Sequence, residues 1–150
     1  MQPATFNIQL PSEAEWEKAA RGTQGHKFPW GNTWQEDRAN VEATDLKQTN
    51  PVGMFPEGGG SYGVMEMAGN VWEWTRSRWG EGSIMQADYG YPYDPEDGRE
   101  ALDEIKISIL RGGSWLNNEW NARCAYRIRN NPGIFNNDNG LRLVVSLVLS

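Results

Sequence analysis

Apolar side chains recur at helical spacing only near the start of the chain. Trp16 and Ala20 fall on one face of a helix, four residues apart. Ser12 with Glu15 three residues later matches a capping box, and Gly22 is a typical stop at a helix C-terminus. The pattern therefore predicts a single short amphipathic helix that ends at Gly22, with Trp16 as its buried anchor.

Three stretches have the character of β-strands: Val71 to Thr75, Ile105 to Leu110 and Leu141 to Val148. In the first, Trp72 and Trp74 share one face. The 17 Gly and 8 Pro residues break up the remaining sequence into turns and loops. We therefore expect an α+β fold with a small antiparallel sheet, few short helices and much irregular structure.

Composition and charge narrow the class of protein. The chain has 150 residues, enough for one domain, which we place at residues 1–150. Only 38% of the residues are hydrophobic, so eight Trp, five Tyr and four Phe must supply much of the core volume. A net charge of −6 without a Lys/Arg run argues against a nucleic-acid partner. The apolar tail from Leu141 is too short to span a bilayer, so we expect a soluble domain with no direct membrane insertion.

The inventory of reactive side chains is small. Cys124 is the one cysteine and His26 the one histidine. A single cysteine excludes an intrachain disulfide and makes a multi-cysteine zinc site implausible. We expect Cys124 to be a buried apolar residue and His26 to lie in an exposed loop.

Several short phrases follow one another along the chain from Leu10 to Leu143. They are LPSEAEWE (10–17), FPWG (28–31), YGVMEMAGNVWEWT (62–75), LRGGSW (110–115), RCAYR (123–127) and GLRL (140–143). In this order they resemble the formylglycine-generating-enzyme (sulfatase-modifying-factor) superfamily. The resemblance implies a minimal C-type-lectin-like fold of the formylglycine-generating-enzyme type.

The resemblance also bears on chemistry. The family's oxidases bind copper(I) through two cysteine thiolates shortly after the Gly-Gly-Ser motif. Here residues 115–121 read WLNNEWN, with no cysteine, and Cys124 matches a structural position of the family. The family's iron enzymes take their metal from histidines in an added helical domain, which this chain lacks. We therefore expect no copper, no iron and no enzymatic activity.

A calcium loop of the family matches residues 66–73. Carry-over of its ligands would assign side-chain carboxylates to Glu66 and Glu73, and backbone carbonyls to Gly69 and Val71. Calcium needs six to eight oxygens, which these four residues and water could supply. The alternative is that Glu73 accepts hydrogen bonds from the protein and no ion is present. A structural calcium ion is thus an expectation that the resemblance carries.

Asparagine is concentrated near the C-terminus. Eight of the 13 Asn lie in the 23 residues from Asn117 to Asn139. A solvated loop with turn-forming Asn would explain the composition alone. The Arg-Gly-Gly-Ser-Trp phrase before the cluster and Gly-Leu-Arg-Leu after it, however, resemble the variable region of diversity-generating retroelement variable proteins, which share the lectin fold.

In such retroelements, template adenines are mutated, so Asn codons are favoured targets. Seven residues interleaved with the Asn have codons that can be reached from AAC by changes in its first two bases: Leu116, Tyr126, Ile128, Gly133, Ile134, Phe135 and Asp138. Glu119 and Trp120 cannot be reached in this way, so they are either fixed or derive from other codons. We place the variable region at about residues 115–142. Its predicted ligand-binding positions are Leu116, Asn117, Asn118, Trp120, Asn121, Tyr126, Ile128, Asn130, Asn131, Gly133, Ile134, Phe135, Asn136, Asn137, Asp138 and Asn139.

Large aromatics beside adaptable amides are typical of antibody paratopes, which favours a binding function. The predicted partner is a protein or glycan on another cell or virus surface, with the domain displayed on a cell or virion surface through other segments. We expect Arg123, Arg127 and Arg129 to be structural. Two alternatives stay open: an accessory or enzymatic domain of the superfamily with altered metal chemistry, and a structural fragment of a larger protein.

Overall fold

The computed structural model describes residues 5–81, 83–101 and 107–148. It contains one α-helix, three 3-10 helical turns and six strands within these ranges. The elements are β1 (Thr5–Gln9), α1 (Glu13–Arg21), 3-10 turns at Glu36–Arg38, Glu42–Thr44 and Pro56–Gly58, β2 (Trp72–Arg78), β3 (Ser108–Arg111), β4 (Arg127–Asn130), β5 (Asn139–Leu141) and β6 (Val144–Val148). The predicted α+β class with much irregular structure is confirmed.

The capping box predicted for α1 is present. Ser12 Oγ accepts a hydrogen bond from Glu15 N at 3.1 Å, and Glu15 Oε2 accepts one from Ser12 N at 2.7 Å. Gly22 ends the helix with a φ of 62°, in the left-handed region that favours glycine. Trp16 is buried and packs with Ala20 of the same helix, as its spacing predicts.

The strands form two separate sheets. A four-stranded sheet has the order β4-β3-β2-β5, in which β4, β3 and β2 are antiparallel and β5 runs parallel to β2. A two-stranded antiparallel sheet joins β1 to β6. The main sheet is thus mixed, whereas the sequence predicted an antiparallel one. The difference arises because the chain returns to β2 at Asn139 after a loop rather than through a hairpin.

The predicted single strand from Leu141 to Val148 is wrong. The chain leaves the four-stranded sheet at Leu141 and enters the other sheet at Val144. Between them, Arg142 turns inward, and its guanidinium donates to the carbonyl oxygens of Met65 and Glu66 at 3.1 and 3.0 Å. No local pattern could indicate this interruption, because both carbonyls belong to residues far earlier in the chain.

The other strand predictions are correct in place but not in extent. β3 begins at Ser108, and residues 105 and 106 of its predicted start lie outside the described residues. β2 runs on to Arg78, and both of its faces are largely buried. Glu73 and Thr75 of this strand are also buried, and each has a partner; Thr75 Oγ donates to the Ile109 carbonyl at 2.9 Å.

Two small apolar clusters form the core. One contains Trp16, Ala20, Met67 and Cys124, and the other contains Ala39, Val41, Ala68 and Ala122. Each cluster takes one residue from the Asn-rich segment: Cys124 for the first and Ala122 for the second. The segment is therefore anchored to the core at two points.

Candidate binding site

The first half of the Asn-rich segment lies on a fixed backbone. Ala122 and Cys124 are fully buried. Cys124 N donates to the Lys27 carbonyl at 2.9 Å, which ties the segment to a loop about a hundred residues earlier in the chain. Gly113, at a φ of 77°, packs directly beneath, because a Cβ there would lie 3.0 Å from the carbonyl carbon of Asn121.

A buried charge network supports the segment from below. Arg111 has 0% exposure and donates to the carbonyl oxygens of Cys124, Ala125 and Tyr126 at 2.8, 3.1 and 3.0 Å. Its guanidinium also pairs with Glu17. Three consecutive carbonyls are thus held by one side chain. Sequence reasoning missed this role, although Arg111 stands in the Arg-Gly-Gly phrase that marks the family.

Glu13 is the second part of the network. Its carboxylate has 0% exposure and accepts hydrogen bonds from Arg127 Nε at 2.5 Å and Nη2 at 2.8 Å. Arg111 Nη1 lies 3.4 Å from the same carboxylate. The predicted structural role of Arg127 is therefore correct. The buried acid itself was not foreseen, since its position in the first helical turn is equally typical of an exposed glutamate.

None of the sixteen predicted ligand-binding positions is buried. Nine are exposed: Leu116, Asn118, Trp120, Asn131, Gly133, Ile134, Phe135, Asn136 and Asn137. Seven are half-buried: Asn117, Asn121, Tyr126, Ile128, Asn130, Asp138 and Asn139. The exposed fraction reaches 59% for Trp120 and 96% for Phe135, large for aromatic side chains.

Some of these positions also serve the local fold. The buried Ser114 hydroxyl lies 2.7 Å from Asn117 Oδ1 and 2.9 Å from Asp138 Oδ2, so it joins the two ends of the segment. The side-chain oxygens of Asn118 and Asn131 accept backbone hydrogen bonds two residues on. Turn formation therefore accounts for part of the Asn-rich composition.

Three neighbouring concavities share lining residues along residues 119–134, and we call them together the variable-face groove. The first, about 280 Å³, lies between Trp34 and Trp120. The second, about 510 Å³, shares Lys27 and Arg123 with the first. The third, about 490 Å³, follows β4 and shares Tyr126 with the second. The groove thus crosses the predicted variable region.

The groove brings together six of the sixteen positions. They are Trp120, Tyr126, Ile128, Asn130, Asn131 and Ile134. Its other walls come from residues that sequence reasoning did not select, among them Lys27, Asn32 and Trp79. These contacts join residues far apart along the chain, so no local pattern could have indicated them.

Glu73, one of the four predicted calcium ligands, already faces a cation. Arg142 donates to both of its carboxylate oxygens, from Nε at 2.5 Å and from Nη2 at 2.6 Å. The indole Nε1 of Trp16 donates to the same carboxylate at 2.6 Å. A calcium ion that used Glu73 would therefore have to displace a guanidinium.

The other three predicted ligands flank this ion pair. The Glu66 carboxylate accepts a hydrogen bond from Gly53 N at 3.1 Å, and burial raises its pKa even though this bond lowers it. Gly69 is a close-approach position, because a Cβ there would lie 2.2 Å from the Asn40 carbonyl oxygen. Val71 directly precedes β2. Calcium at these residues stays a prediction.

The Cys124 thiol is held in surroundings that suppress its reactivity. Cys124 is buried, as predicted, and burial raises the pKa of its thiol to about 12. Its thiolate would be the nucleophile or copper ligand, and this form is scarce at neutral pH. His26 is half-buried rather than exposed. In the ranges that the structure describes, no group of three or more His, Cys, Asp or Glu is placed to hold a metal ion.

Comparison with known proteins decides the family. Residues 4–147 match the model of the sulfatase-modifying factor enzyme 1-like domain. The chain belongs to this family. Its fold is accordingly the formylglycine-generating-enzyme type of C-type-lectin-like fold that the ordered phrases predicted.

Relatives in this family differ in their names. The serine/threonine-protein kinase Pkn1 of Chlamydia trachomatis is 37% identical over 89% of this chain and 20% of its own length. The inactive C-alpha-formylglycine-generating enzyme 2 of Bos taurus is 32% identical over 89% of this chain and 42% of its own. The formylglycine-generating enzyme of Mus musculus is 34% identical over 83% and 35%. The chain thus spans less than half of each relative.

Among solved structures, Treponema denticola variable protein 1 matches with a TM-score of 0.68 and 29% identity, over 92% of this chain and 47% of that one. Its name places it in the class of variable proteins to which the Asn-rich segment points. In the described residues of this chain, no helix has the length and apolar character needed to cross a membrane.

Proposed function

We propose that this chain is a non-enzymatic ligand-binding domain that presents a sequence-variable, Asn-rich surface produced by a diversity-generating retroelement. The observation that carries the proposal is that residues 115–139 divide into anchoring residues, held by the core, and predicted variable positions outside it. Ala122, Cys124 and the Arg127 guanidinium are fixed to the core or to Glu13, whereas none of the sixteen predicted variable positions is buried.

This division is what diversification requires physically. A random side chain in a core leaves a cavity or an unsatisfied polar group that costs several kcal/mol. A random side chain on the surface changes stability little. The backbone beneath must also hold its shape while the side chains change. The three carbonyl contacts of Arg111 and the buried Ala122 and Cys124 supply that rigidity.

The surface chemistry also supports binding. Trp120, Ile134 and Phe135 offer exposed apolar area, and exposed asparagines supply both donors and acceptors beside them. A few aromatic anchors usually contribute most of the affinity of an interface. The proposed ligand is a protein or glycan on another cell or virus surface, bound by a domain that is itself displayed on a surface.

The genomic locus provides the decisive test. We expect a reverse transcriptase gene nearby and a near-identical template repeat with adenines at the codons of the variable positions. Clones from one population should then differ at these codons and agree at Ala122, Cys124 and Arg127. A locus without such a repeat, or with differences scattered evenly over the chain, would contradict the proposal.

A second candidate function comes from the active relative. The 34% identity with a formylglycine-generating enzyme favours an accessory or enzymatic domain with altered metal chemistry. Incubation with copper(I) and a cysteine-containing peptide under oxygen distinguishes the two. We expect no turnover, because the chain has one buried thiol in place of a thiolate pair. Measurable aldehyde formation would favour the enzyme.

A further inference from the structure

The middle of the variable-face groove is cationic although the whole chain carries a net charge of −6. Four of the nine residues that line the second concavity are basic and none is acidic. The basic residues are Arg21, Lys27, Arg123 and Arg127. Glu119 is the one acidic residue in the adjoining first concavity. This local charge is therefore opposite to that of the protein as a whole.

Two of the four cations are neutralised by the protein and two are not. Arg127 pairs with Glu13 and Arg21 pairs with Glu17. Lys27 and Arg123, by contrast, form no ion pair with any residue that the structure describes. Charges of the same sign that share a groove without a counter-ion form a site for an anionic group.

The guanidinium of Arg123 is held in one orientation. It lies 5.0 Å from the centre of the Trp120 ring and 5.8 Å from that of Tyr126, and its Nε donates to the Trp120 carbonyl at 2.9 Å. No described residue accepts a hydrogen bond from its two terminal nitrogens. Planar guanidinium forks of this kind match the two oxygens of a carboxylate.

The backbone of Lys27 is fixed next to that of Cys124, beside Arg123, whereas the Lys27 side chain is exposed. Its carbonyl accepts the hydrogen bond from Cys124 N, the residue next to Arg123, and its own N–H donates to Asn32 Oδ1 at 2.9 Å. Lys27 lies outside the Asn-rich segment. Arg123 lies within the segment but is not among the sixteen positions proposed to vary, so the two cations would stay constant while their neighbours Trp120 and Tyr126 vary.

The third concavity has a different character. Its apolar walls include Trp79, Ile84, Met85 and Ile134, of which the last three have exposed fractions of 69%, 91% and 51%. It runs along β4, an outer strand of the four-stranded sheet, and is also lined by Arg127, Arg129, Asn130 and Asn131. A groove with apolar side chains at a sheet edge suits an extended peptide segment, because side chains of the peptide can enter it at alternate positions.

We propose that the groove binds an acidic segment of a partner protein, with a carboxylate side chain between the constant cations Lys27 and Arg123 and the following apolar side chains along β4. The inference rests on the proposed binding function and gives its ligand a chemical class. A sulfated glycan would satisfy the two cations but would leave the apolar side chains Ile84, Met85 and Ile134 of the third concavity without complementary groups.

The test is selection from a displayed library of random linear peptides on the full chain. We expect the enriched peptides to carry Asp or Glu followed by Phe, Leu or Ile. For an enriched peptide, Lys27→Gln and Arg123→Gln should each raise the Kd about tenfold, as loss of a charged hydrogen bond does. Lys47→Gln is the matched control, because Lys47 is an exposed cation that pairs with Asp45 and does not line the groove.

Other outcomes would overturn the inference. These are enrichment without acidic residues, no enrichment at all, an equal effect of Lys27→Gln and Lys47→Gln, or a heparin fragment that binds the groove more tightly than any peptide. Each would leave the proposed variable surface intact, since that proposal depends on the template repeat at the locus. If the locus lacks the repeat but acidic peptides bind the groove, the proposed retroelement origin fails and the acidic-segment inference stands.

Discussion

At the scale of single residues, the buried carboxylate of Glu13 beneath the groove should contribute strongly to stability. It has 0% exposure and lies against Arg127 and Arg111. Removal of one member of a buried ion pair leaves the other charge uncompensated, which typically costs 3–5 kcal/mol. We therefore expect Glu13→Gln to lower the free energy of unfolding by about 3 kcal/mol in urea titrations.

The matched control for this prediction is Glu36→Gln, since Glu36 is exposed in a 3-10 turn. It should change the free energy of unfolding by no more than about 0.5 kcal/mol. Equal losses in the two variants would mean that the Glu13 network does not stabilise the fold.

The buried thiol of Cys124 makes a second prediction at this scale. Because burial raises its pKa to about 12, the thiol stays protonated at pH 8 and is shielded from reagents. We expect the native chain to react with Ellman's reagent only slowly, and the chain in guanidinium chloride to release one equivalent at once. Rapid reaction in the folded state would show that the first core cluster opens readily.

At the scale of elements, local signals were reliable and long-range ones were not. The capping box and the spacing of Trp16 predicted α1 because both act within one or two turns. β4 escaped prediction because its sequence, RIRN, has two arginines and an amide and so resembles an exposed loop, whereas in the fold Arg127 pairs with Glu13 of α1. Residues 141–148 misled for the same reason, through the inward turn of Arg142.

The candidate site divides in the same way. The exposed positions of the Asn-rich segment could be selected from composition and codon logic. Lys27, Asn32 and Trp79 could not, because they reach the groove through tertiary contacts such as the bond from Cys124 N to the Lys27 carbonyl. The roles of Ser114 and Arg111 beneath the segment were likewise invisible, since each depends on which carbonyls and amides the fold brings near.

A prediction about the segment itself follows from Ser114. The double change Asn136→Ala, Asn137→Ala touches two exposed side chains and should alter the free energy of unfolding by no more than about 0.5 kcal/mol. Ser114→Ala removes a buried hydroxyl that contacts Asn117 and Asp138, and should cost about 1–3 kcal/mol. Thermal denaturation followed by circular dichroism compares the two. Equal losses of stability in the two variants would mean that the exposed Asn136 and Asn137 matter as much to the fold as the buried Ser114.

At the scale of the whole molecule, a calcium ion at the predicted site would compete with Arg142 for the carboxylate of Glu73. A bound structural ion would raise the Tm in calcium relative to EDTA, because a ligand that binds only the folded state stabilises it. The predicted ion should therefore give a higher Tm in calcium than in EDTA; an equal Tm would mean that Arg142, which donates to both oxygens of Glu73, takes the place of the ion. A clear increase with calcium, absent in Glu66→Gln, would establish the ion.

Acid should destabilise the fold through helix α1. Burial alone would raise the pKa of Glu15 and Glu17, but hydrogen bonds from Ser12 and Arg76 to the first, and Arg111 and Tyr91 beside the second, bring both below the ordinary 4.5. Both carboxylates therefore bind protons more weakly in the folded than in the unfolded state. Their contribution is present above pH 4.5 and is lost as the pH falls through their lowered pKa values.

Urea titrations between about pH 6 and pH 3 measure this loss. The variant Glu15→Gln, Glu17→Gln should be less stable at pH 6 and should show a shallower fall towards pH 3. An unchanged slope in the variant would assign the acid sensitivity to other carboxylates.

The clasp at Ser114 has a consequence for chain length. β4 holds the segment as far as Asn130, and Asp138 returns to the fold through Ser114 and through its carbonyl, which accepts from Trp72 N at 2.8 Å. Only residues 131–137 lie between Asn130 and Asp138, the two points at which the segment is attached to the fold. The entropy of closing a flexible stretch grows slowly with the number of residues in it. Insertions there would enlarge this exposed loop at little expense to folding, so homologous domains could differ in length at this point as well as in side chains.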